Sequence, residues 1–259
     1  PTGLRGAPAL GDFDRDGDLD ALWPSPLGRV QINEGERGWR DLRAEIEVRD
    51  AQGMRLQFSG ELCCADFTGD GLADVAAVMQ AGDDGGPQSL VLLEGTGQED
   101  SPFRPVISAA IRGRIFDLTP ADFNADGRLD LALGFGTPGQ DARLTLLQLD
   151  AGRQFAPFDG SPSAKGRLLD LALDDLDRDG DLDLMVSEEV EGAVALTLWA
   201  NTGTGAFADS GEAGTSLRRA LGEFRATNLS LADFTGDGRS DLLAVDAEGN
   251  VVVVRTTLP

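Results

Sequence analysis

The sequence predicts an all-β protein assembled from repeated four-stranded antiparallel units, and three observations predict it. An aspartate-rich segment recurs five times: GDFDRDGDLD from Gly11, ADFTGDGLAD from Ala65, ADFNADGRLD from Ala121, DDLDRDGDLD from Asp174 and ADFTGDGRSD from Ala232. Apolar residues alternate with period two ahead of each segment, and short apolar runs between Gly-rich or acidic turns follow it. The five segments align without gaps, with first aspartates Asp12, Asp66, Asp122, Asp175 and Asp233, and their spacing drifts only by loop lengths. A repeat of this regularity sets the architecture before any single element is considered.

Each element of the unit follows in order. Four residues before the first aspartate stand Pro8, Leu62, Leu118, Leu171 and Leu229, and two before it Leu10, Cys64, Pro120, Leu173 and Leu231. That is one apolar strand face. The residues between are small, with Ala9, Cys63, Thr119, Ala172 and Ser230 in one column, which suits a crowded inner strand. The second strand is read from runs such as Leu131-Ala-Leu-Gly and Leu242-Leu-Ala-Val, and the third from runs such as Leu90-Val-Leu-Leu and Val251-Val-Val-Val. A Gly-containing turn and an aromatic, as in Asn201 to Phe207, mark a hairpin to a fourth strand.

Four short strands per repeat is the content of one propeller blade. A closed ring is favoured over a linear solenoid because closure protects strand edges that a stack of separate sheets would expose. The units are placed at 6–60, 61–115, 116–169, 170–226 and 227–259 of a single propeller domain, the last incomplete, so the ring is expected to be completed outside this chain. Leu217, Leu221 and Phe224 fall at helical spacing and predict a short helix between the fourth and fifth units.

The loops carry the chemistry. Oxygen-bearing side chains stand at alternate positions: Asp12, Asp14 and Asp16; Asp66, Thr68 and Asp70; Asp122, Asn124 and Asp126; Asp175, Asp177 and Asp179; Asp233, Thr235 and Asp237. Alternation on a turning backbone points these oxygens inward, and a glycine follows each set at Gly17, Gly71, Gly127, Gly180 and Gly238. The last aspartates, Asp20, Asp74, Asp130, Asp183 and Asp241, open the second strand and are expected to close the cage. By analogy with other calcium loops, the backbone carbonyls of Asp18, Leu72, Arg128, Asp181 and Arg239 are expected as further ligands.

Hard oxygens in this number suit Ca²⁺, up to five ions at one per loop, whereas Mg²⁺ demands stricter octahedral order. The chain has no His, and its two Cys lie outside the loops, so softer metals are excluded. An EF-hand would end in a bidentate Glu at the twelfth position, where this chain has Trp23, Ala77, Leu133, Val186 and Ala244. One such turn could be a solvated Asx turn; five gapless copies outweigh that reading. Sites two and five, with Thr68 and Thr235, carry one carboxylate fewer and are expected to bind more weakly than sites one and four.

Asp-x-(Asp/Asn/Thr)-x-Asp-Gly-x-x-Asp, with Phe13, Phe67, Phe123 and Phe234 after the first aspartate, resembles the FG-GAP and VCBS-type repeats of integrin α-subunit propellers and their bacterial relatives. The fourth repeat departs with Leu176. The resemblance implies a loop between the first two strands of each blade that holds calcium, usually in a seven-bladed ring.

Composition narrows the function classes. With 45 acidic against 22 basic residues and a net charge of -23, a nucleic-acid partner is excluded by repulsion, and cations are the natural ligands. No apolar run reaches bilayer-spanning length, so no direct membrane insertion is expected. Pro1 is followed by no basic-then-apolar leader, so any secretion signal is expected to have been removed or left out of this sequence. The adjacent Cys63 and Cys64 fit the packing columns of the second repeat rather than redox chemistry.

The absence of His and Tyr and the single Lys165 remove most acid–base and nucleophile candidates, and the expectation is therefore that the chain is not an enzyme. The functional expectation is a calcium-stabilised module, extracellular, at the cell surface or periplasmic, that mediates adhesion or binds a protein partner or larger complex. The alternatives are a glycan-binding lectin and an accessory domain of a polysaccharide- or lipid-degrading enzyme. Trp23 and Trp199 read as core, and Trp39 aligns with Phe103, Phe155 and Phe207 as part of the repeat.

Overall fold

A computed structural model describes residues 7–42, 46–82, 88–98, 101–111, 113–136, 143–162, 166–211, 220–222 and 224–256. The period-two columns become strands throughout. The first sheet is a meander of β1 (Ala9–Gly11), β2 (Asp20–Trp23), β3 (Arg29–Asn33) and β4 (Trp39–Asp41), neighbours in that order. The second contains β5 (Val48–Arg49), β6 (Arg55–Ala65), β7 (Asp74–Ala81), β8 (Gln88–Gly95) and β9 (Phe103–Ile111).

The remaining sheets repeat the plan. They are β10 (Arg114–Ala121), β11 (Asp130–Gly136), β12 (Arg143–Leu149) and β13 (Phe155–Pro157), then β14 (Arg167–Asp174), β15 (Asp183–Val190), β16 (Ala193–Asn201) and β17 (Phe207–Asp209). A three-stranded sheet of β18 (Ala226–Ala232), β19 (Asp241–Asp246) and β20 (Val251–Val254) completes the described residues. The fold is an all-β propeller of antiparallel blades.

Two details depart from a uniform four-strand unit. The second sheet gains β5 through a hairpin whose turn is tied by Asp50, its Oδ1 accepting the amides of Gln52 at 3.0 Å and Met54 at 2.7 Å. Of the predicted helix over Leu217 to Phe224, residues 220–221 are helical, while 217–219 and 223 lie outside the described residues.

The chain divides into two compact units, Pro1–Pro120 with Arg128–Leu131 and Leu147–Ala156, and Ala121–Gly127 with Ala132–Leu146 and Pro157–Pro259. The core of the first is built between its sheets from Phe13, Leu22, Val30 and Ile32 against Val75, Ala77, Met79, Val91, Leu93 and Phe103. In the second, Leu176, Met185, Leu196 and Leu198 pack with Ala226, Leu242, Ala244 and Val254. β7 and β8 are buried along nearly their whole length, which is why they read as continuous apolar runs rather than as alternations.

Cys63 and Cys64 are free thiols on β6 that pair across the ladder with Ala76 and Val75. Burial, helped by Asp74, pushes the Cys64 thiol up to about 11, and burial raises Cys63 as well. Raised values disfavour the thiolate, the nucleophilic form.

Candidate metal centre

Each aspartate-rich segment joins two neighbouring strands of one sheet, β1 to β2, β6 to β7, β10 to β11, β14 to β15 and β18 to β19, and its shape comes from its own side chains. In the second loop Asp66 Oδ1 accepts the amides of Gly69 and Asp70 at 2.8 and 3.1 Å, and its Oδ2 that of Gly71 at 2.9 Å. Asp233 repeats this with Gly236, Asp237 and Gly238 at 2.6, 3.0 and 2.8 Å. Those amides, that of Gly238 foremost, hold the Asp233 carboxyl below its usual range. Asp12, Asp122 and Asp175 likewise accept the amides of Gly17, Gly127 and Gly180.

Two left-handed residues wind each loop. One is the expected glycine, as at Gly17 with φ of 94°. The other lies two residues earlier and is glycine only in loops two and five: Arg15, Ala125 and Arg178 adopt φ of 69°, 56° and 66°. Residue type gives no warning of the left-handed turn at those three positions.

The closing aspartates do more than face the loop. Asp20 accepts the amide of Phe13 on Oδ2 and that of Asn33, at the end of β3, on Oδ1, both at 2.8 Å. Asp183 does the same with Leu176 at 3.1 Å and Asn201 at 3.0 Å, and Asp74 with Thr68 at 2.9 Å and Gly95 at 2.7 Å. Asp130 accepts the amide of Leu149 at 3.0 Å. These four carboxylates are buried and tie the loop region to the third strand.

Such burial raises Asp20, Asp74 and Asp183, the last to about 6, with the negative Asp177 and Asp179 adding to the effect at Asp183. Asp177 is raised for the same first reason.

Three carboxylates meet in loops one and four. Asp12, Asp14 and Asp20 bring one oxygen each within 4.8 Å of one another, and so do Asp175, Asp177 and Asp183. Asp16 and Asp179 lie outside these triplets, and their Oδ1 atoms accept the amides of Asp18 and Asp181 at 2.9 and 3.0 Å. Among the described residues, Asp175 Oδ1, Thr235 Oγ1 and Asp241 Oδ1 are buried without a hydrogen-bond partner. All three occupy predicted ligand columns. Unpartnered buried oxygens in loops four and five, and the carboxylates that converge in loops one and four, fit a hard cation, which would satisfy them.

Some charged groups of consequence lie outside the loops. Glu94, buried on β8, takes Arg104 and, at 2.6 Å, Arg153 from the turn after β12. Glu61, Asp117 and Asp170 share one column on the first strands, five residues before the loop aspartate. Asp170 Oδ2 there accepts the Leu229 amide at 2.6 Å, and burial raises Glu61. The column is legible in the alignment of the five segments, just upstream of the loops that carry most of the acidic charge.

Fold and loops together define a repeat protein whose blades each carry an acidic turn. A family model for the FG-GAP-like repeat matches residues 66–133 and 175–244, and the chain belongs to that family. No curated protein matches the chain.

Among solved structures, an endo-arabinase from Bacteroides thetaiotaomicron VPI-5482 is 14% identical, with 99% of this chain and 96% of that one covered and a TM-score of 0.50. A GH43_1 enzyme from Xanthomonas citri complexed with xylotriose is 13% identical over 100% of this chain and 94% of that one, with a TM-score of 0.37. The first likeness is one of fold.

It corrects the expectation that the chain is not an enzyme, since an endo-arabinase is built on this architecture. That expectation rested on the missing His and Tyr. Glycoside hydrolysis needs neither, because two carboxyl groups suffice as acid and base.

Proposed function

We propose that the chain is a calcium-binding propeller whose loops hold up to five Ca²⁺ and whose blades form a binding module for a protein partner or larger complex outside the cytoplasm. The convergence of Asp12, Asp14 and Asp20, and of Asp175, Asp177 and Asp183, carries the reading. In the remaining loops the ligands are Asp66, Thr68, Asp70 and Asp74; Asp122, Asn124, Asp126 and Asp130; and Asp233, Thr235, Asp237 and Asp241. Calcium supplies charge neutralisation there. The chain's own part is to hold oxygens on left-handed turns and to anchor the closing aspartates on the third strand.

A cation that binds only the folded loops raises stability with its concentration. Calorimetric melting in millimolar calcium against excess chelator tests this directly. A rise in melting temperature is expected, saturating with calcium and weaker with magnesium; identical melts in calcium and chelator would remove the proposal.

Carbohydrate processing is a second reading, favoured by the fold likeness to an endo-arabinase. Release of reducing ends from arabinan tests it, with Glu61→Gln and Asp117→Asn as controls.

A further inference from the structure

The turn between β16 and β17 lies against two of the acidic loops at once. It runs from Asn201 to Phe207, with Gly203 and Gly205 in left-handed conformations at φ of 83° and 73°. A Cβ on Gly205 would stand 3.4 Å from the Cβ of Asn124 in the third loop, and one on Gly203 would stand 2.9 Å from a carboxylate oxygen of Asp181 in the fourth. At the far end of the turn the Phe207 ring packs on Phe123, the residue between Asp122 and Asn124, with centroids 6.3 Å apart.

Asn201 joins the same two loops by hydrogen bonds. It is 4% exposed, and its side chain uses all of its donors and acceptors. Nδ2 donates to the Phe123 carbonyl at 2.8 Å and to the Leu182 carbonyl at 3.1 Å, while Oδ1 accepts the amides of Gly203 and Gly205, both at 3.1 Å. Its backbone amide donates to Asp183 Oδ1 at 3.0 Å. One residue therefore holds the peptide between two ligand positions of the third loop and, in the fourth, both the closing aspartate and the carbonyl just before it. Gly95 and Leu149 stand at the matching places in blades two and three and give their backbone amides to Asp74 and Asp130. Neither has a side-chain amide with which to reach a second loop.

We propose that Asn201 is a positioning residue shared by the third and fourth loops, through which a cation held in one raises the cation affinity of the other. The proposal rests on the reading of the loops as calcium sites. A cation on Asp122 and Asn124 fixes the Phe123 peptide between them, and one on Asp175, Asp177 and Asp183 fixes the end of the fourth loop. Asn201 ties these segments together, so the first ion to bind orders part of the other site and the second ion meets a segment already in place. Linkage makes the effect reciprocal.

Amide NMR of the full chain titrated with calcium tests this, because each loop reports through its own glycine: Gly127 in the third, Gly180 in the fourth and Gly17 in the first. Asp177→Ala disables the fourth loop and is expected to raise the calcium midpoint of Gly127 by about five-fold or more, while that of Gly17 stays where it is. Asn124→Ala is expected to raise the Gly180 midpoint by the same factor. The Asn201 side-chain amide signals should shift as either loop fills, and Asn201→Ala should abolish both cross-effects. A residue that only stabilised the fold would lower the melting temperature without linking the two midpoints. Should Asn201→Ala not fold, the cross-effects and the Asn201 signals of the chain with Asn201 intact decide the matter. Midpoints that each ignore the substitution in the other loop, or cross-effects that survive in Asn201→Ala, would overturn the inference and leave the calcium reading standing. If no loop glycine responds to millimolar calcium, the calcium reading fails and the coupling falls with it.

Discussion

Phe67 and Phe155 stand edge to face with their ring centroids 5.6 Å apart, so a residue of the second acidic loop forms part of the same core as a residue at the start of β13. The loops are therefore clamped from beneath by apolar packing as well as shaped by hydrogen bonds. Removing the ring should cost what a buried aromatic costs. Phe67→Ala is expected to lower unfolding free energy by about 3–5 kcal/mol, while Phe234→Ala, at an exposed position, changes it by under about 0.5 kcal/mol. Urea unfolding in calcium at low protein concentration measures both, and equal losses would contradict the burial.

The closing aspartates and the loop aspartates are expected to separate in their effects. Asp183→Ala strands the buried amides of Leu176 and Asn201 and should destabilise even chelated protein, by about 1–3 kcal/mol. Asp177→Ala removes a cation ligand with little other structure attached. It should weaken calcium binding by roughly ten-fold or more and leave the chelated melting temperature nearly unchanged. Isothermal titration and melting of the two variants side by side check the split.

Acidity should act in opposite directions with and without the ion. Asp183 has its carboxyl raised from 3.8 to about 6, chiefly by burial, so between those values the folded chain keeps a proton that the unfolded chain has lost. That contribution is fully present below the unfolded value and is lost as pH rises through about 6. Chelated protein should therefore melt lower at pH 7 than at pH 5. Calcium needs the ionised carboxylate, so its stabilising increment should shrink over the same interval as pH falls. Melting at both pH values, with calcium and with chelator, checks the two signs.

Ala125 sits in the left-handed region at φ of 56° inside the third loop, where loops two and five have glycine. Relief of the Cβ strain makes Ala125→Gly neutral to stabilising, by up to about 1 kcal/mol, despite the entropy glycine adds to the unfolded chain. Chemical denaturation tests this, and a loss above that size would mean the methyl group makes contacts that matter.

What could be read from the linear order was whatever the repeat encodes locally. The ligand columns lie within nine consecutive residues, and the flanking strands announce themselves by a two-residue period, so the loops, the blades and the oxygen-rich chemistry followed without coordinates. The amides that hold the closing aspartates could not be read, because Asn33, Gly95, Leu149 and Asn201 act through the backbone, which any side chain leaves available. Nor could the pairing of Phe67 with Phe155, or of Glu94 with Arg153, since partners on different blades meet only once the sheets are packed. Only tertiary packing brought those partners together, because burial depends on what lies across a face and not on the residue that occupies it.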